Sequence, residues 1–179
     1  MKVIKTLLLV LGIIIALPFI LALFLKNDYA IEREIKIAQP KDSVFNYIKH
    51  IKNQNYYSKW NMTDPAMKQT YKGADATVGF ISAWESKHDQ VGVGEQEITK
   101  IEEGKRIEMK LRFKVPFEAE DNAYMTTEMI DSNTTSVKWG FTGSFPYPMN
   151  IMQIFMDMEK TIGNDLEIGL KNLKGILEK

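Results

Sequence analysis

The sequence predicts an α+β protein: a curved antiparallel sheet of about seven strands, closed by one long carboxy-terminal helix and preceded by a single transmembrane helix. Three observations predict it. Thr6 to Leu25 carries no charge and is nearly all Leu, Ile, Val, Phe and Ala. Ala66 to Gly143 divides into short alternating segments separated by turn residues. Pro148 to Leu177 repeats apolar residues in steps of three and four.

A helix over Thr6 to Leu25 rises ~30 Å at about 1.5 Å per residue, the thickness of a bilayer's hydrocarbon core. It is apolar on every face, which a surface helix of a globular domain is not. Gly12 and Pro18 are tolerated inside membrane helices. The exit, Phe24-Leu25-Lys26-Asn27-Asp28, lacks the small-residue pattern of a signal-peptide cleavage site, so an uncleaved anchor over residues 1-28 is expected. Lys2 and Lys5 crowd its start, which favours a cytoplasmic amino terminus and a domain on the outer side.

Basic and acidic residues number 23 each over 179 positions. Setting aside Lys2, Lys5 and Lys26 leaves 20 basic against 23 acidic, a net of −3 beyond the anchor. A mildly acidic domain without a basic stripe argues against a nucleic-acid partner, which would demand clustered Lys and Arg. The chain has no cysteine, so thiol chemistry, disulfides and Cys-based zinc sites are excluded.

Residues 29-179 read as one domain. Tyr29 to Ala38 alternates as a first strand that Pro40 ends; Val44, Phe45, Tyr47, Ile48 and Ile51 then recur at helical spacing. A second short helix or turn runs through Asn55 to Trp60, and Asp64-Pro65 marks its exit. Six strands follow: Met67 to Lys72, Val78 to Ser86, Val91 to Ile101, Arg106 to Phe113, Phe117 to Ile130 and Thr135 to Thr142. Ile107, Met109, Leu111 and Phe113 oppose Glu108, Lys110 and Arg112 across one strand, the mark of an antiparallel sheet with one face buried. Gly92 and Gly94 within one strand suggest a bend or bulge. The terminal helix is expected to run unbroken from Pro148 to Leu177, with Met152, Phe155, Met156, Ile162, Leu166, Leu170, Leu173 and Leu177 on its sheet-facing side. Gly163, Gly169 and Gly175 within it suggest a kink or close packing.

Several stretches resemble the START-like superfamily, also called SRPBCC, and its polyketide cyclase/dehydrase branch. They are Arg33 to Phe45, the Tyr57-Ser-Lys-Trp60 corner, the turn and strand Ser132 to Trp139, and the terminal amphipathic helix. The resemblance implies the helix-grip fold and an apolar ligand held between the curved sheet and the last helix. It carries the scaffold and not an activity.

The expected cavity residues are Met67, Tyr71, Trp84, Met109, Leu111, Trp139, Met152, Phe155, Met156 and Glu159. Flexible thioethers and aromatic rings suit a pocket for a variable apolar ligand. Glu159 falls on the helix stripe between Phe155 and Ile162; buried there, it would be a candidate acid, base or ligand anchor, and at the stripe's edge a solvated or paired surface carboxylate. His50 and His88 lie at a helix end and in a turn, with no metal-ligand spacing, so no metal is expected. Nucleophile-elbow, phosphate-loop and dinucleotide patterns are absent and no cofactor is expected. The pairs Glu95 with Glu97 and Glu118 with Glu120 each share a strand face, read as solvated.

Three functions fit these residues. The first is a membrane-anchored binder of a hydrophobic small molecule (lipid, quinone or polyketide-like), not an enzyme. The second is a cyclase, dehydrase or hydrolase using Glu159 with Tyr71 or Tyr124. The third is a protein-interaction module of the cell envelope, with no partner identified.

Overall fold

The computed structural model describes residues 2–116 and 118–179. Helix α1 (Lys2–Ala22) is long and apolar enough to cross a membrane, and its side chains are exposed as far as Leu21. Strand β1 (Asp28–Ile37) starts shortly after it. The expected pair of short helices is a chain of smaller pieces: α2 (Lys41–Ile48), a 3-10 turn (Ile51–Asn53), α3 (Gln54–Tyr57) and α4 (Lys59–Thr63). Asp75 explains one break, because its carboxylate accepts the backbone N–H groups of Ile51 and Lys52 (2.9 and 3.3 Å) and stops α2 from continuing.

The remaining strands are β2 (Lys68–Lys72), β3 (Ile81–Glu85), β4 (Val93–Glu102), β5 (Arg106–Val115), β6 (Ala119–Asp131) and β7 (Thr134–Ser144). The expected start of β6 at Phe117 lies outside the described residues. All pairings are antiparallel, in the order β1-β7-β6-β5-β4-β3-β2, giving one curved seven-stranded sheet. The register slips between Val93 and Gly94, where a Cβ on Gly94 would lie 2.6 Å from the Trp84 ring. The bend suggested by the Gly92/Gly94 pair is therefore present, and it lets Trp84 lie flat across the neighbouring strand.

The carboxy-terminal segment differs from the expected single helix. A 3-10 segment (Met149–Ile154) comes first, the chain breaks over Phe155 to Asp157, and helix α5 (Met158–Leu177) follows. The Asp157 carboxylate accepts the Lys160 backbone N–H at 2.9 Å, a side-chain cap that starts a helix afresh and ends any continuity with the segment before it. Beyond that cap the apolar stripe holds: Leu166, Leu170 and Leu173 are buried against the inner face of the sheet.

Two of the α5 glycines set the distance between helix and sheet. A Cβ on Gly163 would lie 2.0 Å from the Arg33 guanidinium of β1, and one on Gly169 would lie 2.7 Å from the Trp139 ring of β7. The core between the layers includes Ile37, Phe45, Ile48, Tyr57, Ile107, Met125 and Val137.

Candidate functional site

The inner face of the sheet is not packed shut. A cavity of about 200 Å³ remains between β3–β7, the short helices and the first turns of α5. Strand alternation supplies its apolar wall. Met109, Leu111 and Phe113 come from alternate positions of β5, Ala123 from β6, Trp139 and Phe141 from β7, and Trp84 from β3. Ile162 of α5, Met67 and, from the β3–β4 loop, Gln90 and Val91 complete the lining. The Trp84 indole N–H donates to the Val91 carbonyl at 3.2 Å, tying the β3–β4 loop to the cavity edge.

Sequence reasoning missed the polar part of this wall. Gln54, Ser58, Asn61, Gln69, Ser82 and Gln96 all line the cavity. Gln54 and Gln96 are buried, and the Gln96 carboxamide donates to Gln54 Oε1 at 2.8 Å. A second group centres on Asn55, whose Oδ1 accepts from both Asn61 (2.8 Å) and Gln69 (2.7 Å). The alternation around Gln96 was a usable signal, since Glu95 and Glu97 point outward to Arg112 (2.9 and 2.5 Å) and leave Gln96 facing in. The polar side-chain groups on the wall are hydroxyls, carboxamides and indole N–H groups, and among the described residues none of the lining side chains ionises near neutral pH.

Five of the expected cavity residues, Met67, Trp84, Met109, Leu111 and Trp139, lie on this wall. Five lie elsewhere. Tyr71 sits on the edge strand β2, where its hydroxyl bonds to Asn55 and Gln69 and its ring stacks on Phe80. Met152, Phe155 and Met156 belong to the segment before the Asp157 cap and do not line this cavity; Phe155 and Met156 border a shallow surface depression beside Tyr29, Ala30 and Ile31 of β1, and Phe155 is 82% exposed. Glu159 is exposed in the first turn of α5 and pairs with Arg33 at 2.8 Å, the surface alternative for that carboxylate. Tyr124 points outward and donates to Glu32 Oε2.

One ionisable pair does lie on the inner face, beside the cavity and not on its wall. Asp121 is buried in β6, across from Leu111 and two positions before Ala123, with the Tyr29 hydroxyl next to it. Burial pushes the Asp121 carboxyl above the ordinary aspartate range, and hydrogen bonding from Tyr29 offsets this only in part. Burial, followed by the Asp121 charge, drives the Tyr29 hydroxyl upward as well. His50 contacts the Asn46 carbonyl and His88 the Gln90 backbone N–H; among the described residues no group of His, Asp and Glu is arranged to hold a metal.

No family model and no curated protein sequence matches the chain. Solved structures do. A truncated norcoclaurine synthase from Thalictrum flavum superposes with a TM-score of 0.61 at 10% identity, covering 83% of this chain and 92% of that one. The Aha1 dimer from Colwellia psychrerythraea gives a TM-score of 0.55 at 18% identity over 84% and 96% of the two chains. The protein Ara h 8.0201 gives 0.54 at 13% identity over 84% and 97%. Similarity at these identities is similarity of architecture, and the architecture is the Bet v1-like helix-grip fold.

Proposed function

We propose that residues 29-179 form a START-like domain that binds a small, uncharged, largely apolar molecule in the cavity between sheet and α5 and does no chemistry on it. In this reading residues 1-28 anchor the domain in a membrane, amino terminus in the cytoplasm. The observation that carries it is the wall itself: aromatic and thioether side chains for the ligand's body, carboxamides and hydroxyls for one end, and no ionisable group. A charged ligand entering such a site would give up hydration without gaining a counter-charge, at a cost of several kcal/mol. A neutral carbonyl or hydroxyl would exchange water for the Gln54–Gln96 and Ser82 groups at little net cost.

Size narrows the class further. An enclosed apolar cavity of about 150 Å³ holds one benzene ring, and drug-sized ligands occupy about 300–1,000 Å³. At about 200 Å³ this cavity suits a one- or two-ring molecule, or the head of a longer one whose chain extends out of it. A ring-headed compound such as a quinone fits that description better than a two-chain lipid.

The enzyme alternative is supported by one observation only, the buried Asp121 beside Tyr29, because Glu159, Tyr71 and Tyr124 do not line the cavity. The distinguishing experiment is calorimetric titration of the full chain in nanodiscs with 2-naphthol and with 2-naphthoate, two probes of like shape and different charge. The neutral probe is expected to bind and the anion to bind at least about tenfold more weakly, a difference of about 1.4 kcal/mol. Equal affinities would contradict the proposal.

A further inference from the structure

The junction between α1 and the domain is built, not slack. A helix leaves its last four carbonyls without intrahelical partners, and in a lipid environment each unsatisfied group costs several kcal/mol. Here the carbonyls of Ile20, Leu21 and Ala22 accept the N–H groups of Leu23, Phe24 and Leu25 (3.2, 3.0 and 3.3 Å), and Ala22 and the residues leading out of the helix gain further partners from far along the chain. The Asn150 side-chain amide, buried in the 3-10 segment, donates to the carbonyls of Ala22 (2.7 Å) and Leu25 (3.3 Å) and to Asn27 Oδ1 (2.9 Å). Gln153 donates to the carbonyls of Lys26 (2.8 Å) and Asn27 (3.3 Å), and the Phe145 backbone N–H donates to Asn27 O (2.9 Å). Ala22 is 1% exposed as a result.

These bonds fix the 3-10 segment at the height of the helix end, with Ile151 and Met152 half-buried and several of the apolar side chains around them open to solvent. Met149, Ile154, Phe155 and Met156 are exposed, as are Leu23 and Phe24 just past α1. The sequence carries no charge between Lys138 and Asp157. A contiguous apolar patch of this kind marks a contact with a partner or a membrane. Its hydrogen-bonded attachment to a helix of bilayer-spanning length commits it to the second, because ~30 Å of helix from Lys2 ends near the hydrocarbon boundary.

We infer that Met149 to Met156 is a second membrane contact, an interfacial element whose apolar side chains enter the headgroup and upper acyl region of the bilayer that α1 crosses. The inference rests on the proposal that α1 spans a membrane. A short apolar segment in the interface plane buries its side chains about 5–10 Å deep. With α1 capped by Asn150, the two contacts hold the domain at one tilt, where a single flexible tether would let it swing.

The absence of cysteine makes the test direct. Nitroxide labels are placed at Phe155→Cys, Ile154→Cys, Ile14→Cys in mid-helix and Ser132→Cys in the β6–β7 turn, at the end of the sheet away from α1. The full chain is reconstituted in vesicles of phosphatidylcholine and phosphatidylglycerol, and collision with oxygen and with a water-soluble nickel chelate is measured at each label. The expected result is an oxygen-to-nickel ratio at 154 and 155 several-fold above that at 132. Ratios at 154 and 155 equal to that at 132, with 14 reporting lipid, overturn the interfacial contact alone and leave the anchor standing. Exclusion of both reagents at 154 and 155 also overturns it, in favour of a protein contact. A label at 14 that reports water removes the spanning helix and the inference with it.

Discussion

Among single residues, Asp121 has the most to reveal about energetics. Its folded pKa is raised by burial, so its contribution to stability is fully present below the unfolded value, about 3.9, and is lost as pH rises through the folded value. The Asp121 contribution should therefore fall from about pH 4 upward through that window, against the rising contributions of paired surface carboxylates such as Glu32. Asp121→Asn has no proton to lose while keeping an oxygen for Tyr29. Denaturant titrations at pH 4 and pH 7 should show the variant gaining on the wild type at the higher pH. A constant difference between the two would show that Asp121 titrates normally. The same variant should bind 2-naphthol as the wild type does, since the side chain does not line the cavity.

At the scale of elements, the fit of α5 on the sheet makes a prediction of opposite signs. Gly169 and Gly175 lie in the same helix, and each glycine costs about 1 kcal/mol relative to alanine there. A Cβ at Gly175 meets nothing within 4 Å, so Gly175→Ala should stabilise the chain by up to about 1 kcal/mol. A Cβ at Gly169 lies 2.7 Å from a Trp139 ring held edge-on by Tyr57 and Trp60. Overpacking costs about 1–3 kcal/mol, so Gly169→Ala should destabilise on balance. Thermal midpoints shifting the same way for both variants would mean that the helix is not docked at that distance.

Elements also show what could be read from the sequence and what could not. Alternation together with turn spacing located the strands, and alternation gave the inward direction of Met109, Leu111 and Trp139, because a period of two is set by the backbone and survives folding unchanged. Gln96 was readable by the same rule from its flanking glutamates. Gln54, Ser58 and Asn61 were not, since they lie in or beside helices of one turn or so, whose orientation is set by what they pack on. Met152, Phe155 and Met156 were misplaced for a different reason. Their spacing continues the α5 stripe on paper, but the Asp157 cap begins a new helix, and side chains before a cap follow the incoming chain. Glu159 then falls in a first turn, where an acidic side chain suits the helix dipole and finds Arg33.

For the whole molecule, the curved sheet carries two apolar features with different roles. The cavity lies under its inner face, while the apolar patch at the α1 junction lies outside the fold's core. Strand register places Trp84, Phe113 and Phe141, on the cavity wall, towards the same end of the sheet at which β1 follows α1. The central claim is that the space beneath the sheet is a binding site, and filling it tests that most directly. Ala123→Phe places a ring into the cavity from the middle of β6. Calorimetric titration of wild-type and variant chains with 2-naphthol, in matched nanodiscs that give equal background partitioning, should show a saturable component in the wild type only, with the variant's thermal midpoint confirming that it is folded. The same saturable uptake by a folded Ala123→Phe chain would contradict the account.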